Sequence, residues 1–250
     1  MNAIVVRSLV VAVLFIAPSA FAAPILTITE LSGATQAARL ASKATTLSGY
    51  GPHTILEDFE GFTASANPVH GATSLVTGAG TFSVGAGFSN GTGGACIKDA
   101  GACKELHVLN AATTPFNGRF STTPGLAPRA GNWLDSNDIN RMRLDLTQPR
   151  STLFFFLSDV SDQGGTLTLR AFDGAWTQQT VVPTQASGDL FFVTLSSTTG
   201  ITALEWNNNR TGDGWGIDDI GTAGHVPEPT TLVLLGAGLT GVARRLRRRR

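Results

Sequence analysis

Tyrosine occurs once in this chain of 250 residues, methionine and cysteine twice each, histidine four times, and only 14% of the residues are charged. Each scarcity narrows the function. Two cysteines, Cys96 and Cys103, with six residues between them and only one histidine, His107, close by in sequence, make a poor metal site and are too far apart for a redox Cys-x-x-Cys pair. None of His53, His70, His107 and His225 lies in a His-Glu-x-x-His motif, the Gly87-Phe88-Ser89-Asn90-Gly91 string falls in a Gly-rich loop stretch without the strand-then-helix pattern of a nucleophile elbow, and there is no phosphate loop. Hydrolysis by two carboxylates across a cleft leaves no local spacing and stays open. No 3.6-residue apolar period is sustained, so a helical bundle is excluded. No apolar run reaches the ~20 residues of an ordinary membrane-spanning helix.

The charge balance of zero hides an asymmetry. Seven of the 18 basic residues lie at the two ends, Arg7 and six arginines after position 243, against one of the 18 acids, Glu228. Between Ala23 and Val226 there are 11 basic and 17 acidic residues, a net charge of −6. This argues against a nucleic-acid partner and fits a soluble or cation-binding body.

The two ends read as processing signals. Arg7, the apolar residues 9–17 and the small-x-small box Ala20-Phe21-Ala22 describe a signal peptide over residues 1–22, with a mature start at Ala23. At the other end Val226, Pro227, Glu228 and Pro229 form a rigid, extended motif. Residues 230–243 follow, uncharged and apolar, and then Arg244, Arg245, Arg247, Arg248, Arg249 and Arg250. Arginines resist translocation and would stay in the cytoplasm. As a helix the 14 uncharged residues span ~21 Å, short of the ~30 Å hydrocarbon core. Gly236, Gly238 and Gly241 weaken that helix further. Such a segment suits a pause in the membrane better than permanent residence.

Residues 222–250 resemble the PEP-CTERM sorting signal in all three parts and in their order: the Pro-Glu-Pro motif, the short hydrophobic helix and the Arg-rich end. The resemblance implies a Gram-negative bacterium and export by the Sec translocon and signal peptidase. It further implies transient anchoring in the inner membrane, recognition by an exosortase, and a destination at the cell surface or in the extracellular matrix. Proteins with this signal are often linked to exopolysaccharide and biofilm.

Residues 23–52 read as an N-terminal arm with a strand near 25–30 and a helix over 35–43, ended by Gly49, Gly51 and Pro52. Residues 53–221 read as one all-β domain, a β-sandwich or jelly roll, because strand patterns recur every ten to twelve residues between turn residues. Expected strands are 53–62, 73–77, 81–84, 117–122, 131–134, 139–146, 152–157, 166–173, 176–182, 189–195, 201–206 and 214–220. Residues 139–146 alternate, with Ile139, Arg141, Arg143 and Asp145 on one face and Met142, Leu144 and Leu146 on the other. Residues 152–157 are apolar throughout and predict a central strand buried on both faces. The Gly-rich stretch 85–101 predicts a long loop, pinned by a Cys96–Cys103 disulfide in an oxidising compartment.

Carboxylates gather at Glu57, Asp58 and Glu60 in the first strand of the domain, at Asp159 and Asp162 in a turn, and at Asp213, Asp218 and Asp219 near the last strand. First and last strands commonly lie side by side in a sandwich. Glu57, Asp58, Glu60, Asp218 and Asp219 are therefore the candidate ligands for a structural Ca²⁺. The Gly-Trp-Gly-Ile-Asp-Asp-Ile run ending at Ile220 resembles the last strand of calcium-stabilised, carbohydrate-binding-like jelly rolls. Among the aromatics, Trp176, beside Gly174, and Trp133 are candidates for stacking on sugar rings, whereas Trp206 alternates with Leu204 and reads as core. The leading expectation is a non-enzymatic, exopolysaccharide-associated surface protein. A secreted polysaccharide hydrolase and a ligand-free structural protein are the alternatives.

The tail makes a direct prediction. In cells containing the exosortase, mass spectrometry of the mature protein should place its C-terminus at or near residues 226–229. In cells lacking it, the Arg-rich end should be retained in the membrane fraction. An unprocessed tail in both would remove the sorting role.

Overall fold

The structure, a computed structural model, describes residues 23–62, 74–84, 106–110, 118–122, 131–136, 139, 141–160, 162, 164–181, 187–210 and 213–223. Eleven strands and one helix account for most of them. They are β1 (Ile25–Glu30), α1 (Gln36–Tyr50), β2 (His53–Glu57), β3 (Ser74–Val76), β4 (Gly80–Ser83), β5 (His107–Asn110), β6 (Asn132–Asp135), β7 (Arg141–Ser158), β8 (Leu167–Phe172), β9 (Trp176–Thr180), β10 (Leu190–Asn208) and β11 (Gly216–Ala223). The domain is all-β and sandwich-like, and every strand pairing is antiparallel.

Two strands are longer than the sequence pattern predicts. The expected pair 139–146 and 152–157 is one strand, β7, and the expected pair 189–195 and 201–206 is one strand, β10. They pair along both halves, from Leu190 opposite Ser158 to Asn207 opposite Arg141, with register shifts between Ser196 and Ala203. Pro149 and Gly200 sit at this break, where a missing ladder hydrogen bond and a positive φ of 94° are tolerated. Ser197 knots the bend. Its hydroxyl donates to Asp173 Oδ2 at 2.6 Å and accepts from the amides of Thr199 and Gly200 at 3.1 Å. Strands that bend in this way carry one sheet into another.

The two halves recruit different neighbours. The C-terminal half of β7 and the N-terminal half of β10 join β1 and β11, and β11 joins β2 and β6 with β5 beyond it; we call this sheet I. The other halves join β4 with β3 on one side and β8 with β9 on the other, forming sheet II. The inner faces meet in the main core, where the Phe155 ring of sheet I lies 5.3 Å from the Trp206 ring of sheet II.

The apolar run in β7 serves two cores at once. Leu153, Phe155 and Leu157 face the main core, while Phe154 and Phe156 face a second cluster with Leu190, Phe192, Phe120 and Leu31. Helix α1 lies over that second cluster with Leu40, Leu47 and Tyr50. Tyr50 meets Phe154 and Phe192 edge-on, each at 5.4 Å. The expected strand 152–157 is therefore buried on both faces. The helix extends beyond the expected 35–43. Thr35 caps its start by accepting from the Ala38 amide at 3.2 Å, and Gly51, at φ 91°, ends it. The expected arm is thus built into sheet I and its outer layer.

Two expected strands are corrected by side chains that compete for backbone groups. The strand from residue 53 stops at Glu57, whose Oε1 accepts from the Phe59 amide at 2.7 Å, and Asp58 accepts from the Glu60 amide at 3.1 Å. Phe59 takes φ 60° and drops into the core. Residues 118–122 form no strand, because the Phe120 amide donates to Ser158 Oγ and the Thr122 amide to Asp218 Oδ2. β5 was not anticipated; it is short and buried at the edge of sheet I.

Truncating Phe155 to alanine should cost ~3–5 kcal/mol in denaturant unfolding, because the vacated space lies between two sheets. Val76→Ala, at a side chain 73% exposed, should stay within ~0.5 kcal/mol.

Candidate functional site

Sheet I is covered by α1 on its outer side, whereas sheet II presents a solvated outer face. The register assembles that face from alternate residues. Arg143 lies opposite Ser83 on one side and Glu205 on the other, Glu205 opposite Arg170, and Arg170 opposite Gln178. One pair along, Arg141 lies opposite Asn207 and Asn207 opposite Thr168; in the other direction Phe172 lies opposite Trp176.

Glu205 is the hub. It is 4% exposed and its carboxylate meets three guanidiniums: Arg170 at 2.7 Å, Arg141 at 3.2 Å and Arg143 at 3.5 Å. Arg143 also holds Asp145, donating from Nε at 2.9 Å and from Nη2 at 2.6 Å. These hydrogen bonds raise the Arg143 guanidinium above its ordinary value in spite of burial. The Arg170 guanidinium lies 4.4 Å from the Trp176 ring centre, and Phe172 packs against the ring at 5.1 Å. Three arginines against two carboxylates leave a positive face on a body whose net charge is −6. Each guanidinium keeps N–H groups in a planar fork suited to carboxylate or sulfate oxygens.

Of the two expected stacking residues, Trp176 is half-buried on this face. Trp133 is corrected: it is 1% exposed, in β6, and its indole N–H points at Asp135 Oδ2 at 3.3 Å. Trp206 is core, as its alternation predicts. The sequence flagged Arg141 and Arg143 as solvated but not their partners. Glu205 and Arg170 sit at alternate strand positions among apolar residues, and only the register brings them together.

The five expected calcium ligands are separated by their own hydrogen bonds. β2 and β11 are indeed neighbours, with Glu57 opposite Ile220. Yet Glu57 accepts from the Phe59 and Gly78 amides, Asp58 from Glu60 and Glu60 from Asn132. Asp218 and Asp219 face Thr122 and Lys43 instead. Among the described residues no group of three or more His, Cys, Asp or Glu side chains is placed to hold a metal ion.

A further polar cluster lies at the end of sheet I. Asp159, at φ 61°, accepts from the Gly188 amide at 2.9 Å, and Arg119 bridges toward it and Asp135. Gly118, at φ 94°, lies so close to Asp159 that a Cβ there would meet the carboxylate. Arg39 of α1 reaches the adjacent Asp189 at 3.2 Å.

Cys96, Cys103 and the tail from Val226 to Arg250 lie outside the described residues. Among the described residues no helix is long and apolar enough to cross a membrane. For the tail, comparison with known families is decisive: residues 225–249 match the PEP-CTERM protein-sorting motif. The chain carries a PEP-CTERM sorting signal. This motif implies an exported protein processed by an exosortase, anchored transiently and then located at the surface. No curated protein matches the chain. Among solved structures, the K2 cleaved adhesin domain of Lys-gingipain is similar at 11% identity and a TM-score of 0.39, over 69% of this chain and 98% of that one.

Asp159 gives a pH signature. Burial pushes its carboxyl from 3.8 up to about 7, outweighing the Gly188 hydrogen bond and the Arg119 charge. A folded value above the unfolded one means that the fold prefers the protonated acid. That stability is full below about 3.8 and is lost as pH rises through about 7. Asp159→Asn should therefore gain on the wild type as pH is raised across this window, by on the order of 2–4 kcal/mol in denaturant melts. A difference independent of pH would show that Asp159 does not titrate there.

Proposed function

We propose that the mature body is a non-enzymatic surface or matrix protein that holds an exopolysaccharide on the outer face of sheet II. Arg141, Arg143 and Arg170 gathered around Glu205 beside Trp176 carry this reading. Buried Glu205 fixes the three arginines before any ligand arrives, which lowers the ordering cost of binding. An open sheet face suits an extended chain lying across several strands. Acidic sugars, uronates or sulfated residues, offer oxygens that guanidiniums grip in pairs, while the Trp176 ring supplies an apolar surface for a sugar's C–H face. The exosortase delivers such a protein to where polysaccharide accumulates.

The exported protein should be retained on immobilised polygalacturonate at low salt and released as salt rises, because the contact is largely ionic. A neutral dextran should retain it weakly. Arg170→Ala and Trp176→Ala, checked for folding by thermal melting, should each weaken retention about tenfold, the ~1.4 kcal/mol of one good contact. Equal retention by wild type and variants, or none on any anionic glycan, would count against this face. Turnover of the glycan that disappears on changing a carboxylate would instead favour a hydrolase.

A further inference from the structure

One position of α1 breaks its own pattern. Leu40, Lys43, Leu47 and Tyr50 form a single helical stripe, and the three apolar members pack on the second core. Lys43 sits in the same stripe and is 2% exposed. Its Nζ lies 4.8 Å from the centre of the Phe156 ring and contacts the Thr122 carbonyl and Asp219 Oδ2. A buried ion pair commonly stabilises less than apolar residues of the same volume would. Charge pairing alone is therefore a weak reason to place lysine there.

The partners are arranged for more than pairing. Successive strand residues normally point to opposite faces. Here β11 has a register break between Asp218 and Gly221, and Asp219 takes φ 48°. As a result both carboxyls reach one residue: Thr122 Oγ1 lies 3.1 Å from Asp218 Oδ2 and 3.0 Å from Asp219 Oδ2. Asp218 also receives the Thr122 amide and the Ser121 hydroxyl. Burial, then the Asp219 charge, raise the Asp218 carboxyl well above its ordinary value, which favours its protonated form. The site thus contains an amine, a facing carboxyl and a second carboxyl joined to the first through the Thr122 hydroxyl, all away from water.

We propose that Lys43 and Asp219 condense into an intramolecular amide that ties α1 to β11. With one proton shared by the two carboxyls the buried set is neutral. Moving a proton from Lys43 Nζ to Asp219 gives a neutral amine beside a carboxylic acid, the reactive pair. The Nζ lone pair then forms a bond to Asp219 Cγ. The Nζ proton passes to the departing oxygen, relayed by Thr122 and Asp218, and the C–O bond breaks to release water. Nothing is oxidised or reduced, and Asp218 ends in the protonation state in which it began. The product buries no charge at this site, so the desolvation cost of the ion pair disappears. Phe156 and the helix stripe exclude the bulk water that would favour hydrolysis.

The link would close a chain segment of 176 residues, from the first helix to the last strand. β11 ends at Ala223, just before the sorting motif at residues 225–249. Tension on the C-terminal attachment would then meet a covalent bond before it could peel β11 from the sheet. Asp218 acts through Thr122 and is a positioning residue; Lys43 and Asp219 are the reacting groups.

Peptide mapping of the exported full-length protein tests this. Trypsin should fail to cut after Lys43, and a branched peptide should join the Lys43 and Asp219 segments at one water below their summed mass. Asp219→Asn should give the same branched product by loss of ammonia. Asp218→Asn should fold, with an unchanged circular-dichroism spectrum, yet stay linear, and Asp218→Glu should restore the link. Recovery of both linear peptides from folded wild-type protein would overturn the proposal. Full linking in Asp218→Asn would overturn the role of Asp218. Neither result depends on glycan binding.

Discussion

The pairing of β7 with β10 is the constraint on which the rest of this molecule depends. Both strands run through both sheets, so neither sheet exists without them. Their central position explains the composition of β7, where Leu153 to Leu157 has no polar residue because both sides are covered. Alternate members of one run serve two cores, the sandwich interior and the layer under α1. A polar substitution at any of these positions would bury an unsatisfied group in one core or the other. The bend is equally specified. Pro149, Gly200 and the Ser197–Asp173 knot occupy the few positions where the ladder is interrupted, so the break in pairing falls where it costs least.

This bend divides the molecule into unlike sides. On sheet I the first helix and last strand come together, and the polar groups there, buried Lys43, Asp218, Asp219 and Asp159 and half-buried Arg119, lie against one another. On sheet II no helix among the described residues covers the outer face, and charged groups alternate with core residues along β7, β8 and β10. Glu205 links the two properties: it is buried like a core residue but holds surface arginines. Losing it would leave three cations facing one another, and they would splay into solvent. A face ordered in this way resists the acidic character of the body around it.

The sequence carried the strand content of the fold well and its connectivity poorly. Alternation at 139–146, the double-sided run at 152–157 and the turn residues between strands are local signals, and the corresponding residues are strands. Whether two such runs join into one strand depends on a proline and a glycine that normally mark ends, so β7 and β10 looked like four elements. Residues 118–122 show the reverse failure. Their extended pattern is real, but their amides bond to Ser158 and Asp218, which are remote in sequence. The calcium set had the right neighbours for the wrong reason. β2 and β11 do pair, yet the carboxylates are consumed by nearby amides and by Lys43, a charged residue in the apolar stripe of α1 whose type alone suggests a solvated position. The tail was fully legible, since a sorting signal is recognised as a linear string and needs no tertiary context.

That contrast has a physical consequence for how the protein is handled. The address is linear and must be readable before or apart from folding, so it lies beyond the last strand. The body of this exported, transiently anchored protein is joined to that signal through the residues that follow Ala223. The sandwich depends on its last strand, because β11 bridges β2, β6 and β7 and is also the strand from which the chain runs toward the sorting signal. Strong local anchoring of β11 therefore holds three neighbouring strands together. The burial of Ile217 to Ile220, the Thr152–Thr222 hydrogen bond at 3.0 Å and the contact from Lys43 all fall on this one strand. They concentrate holding interactions where the chain leaves the domain.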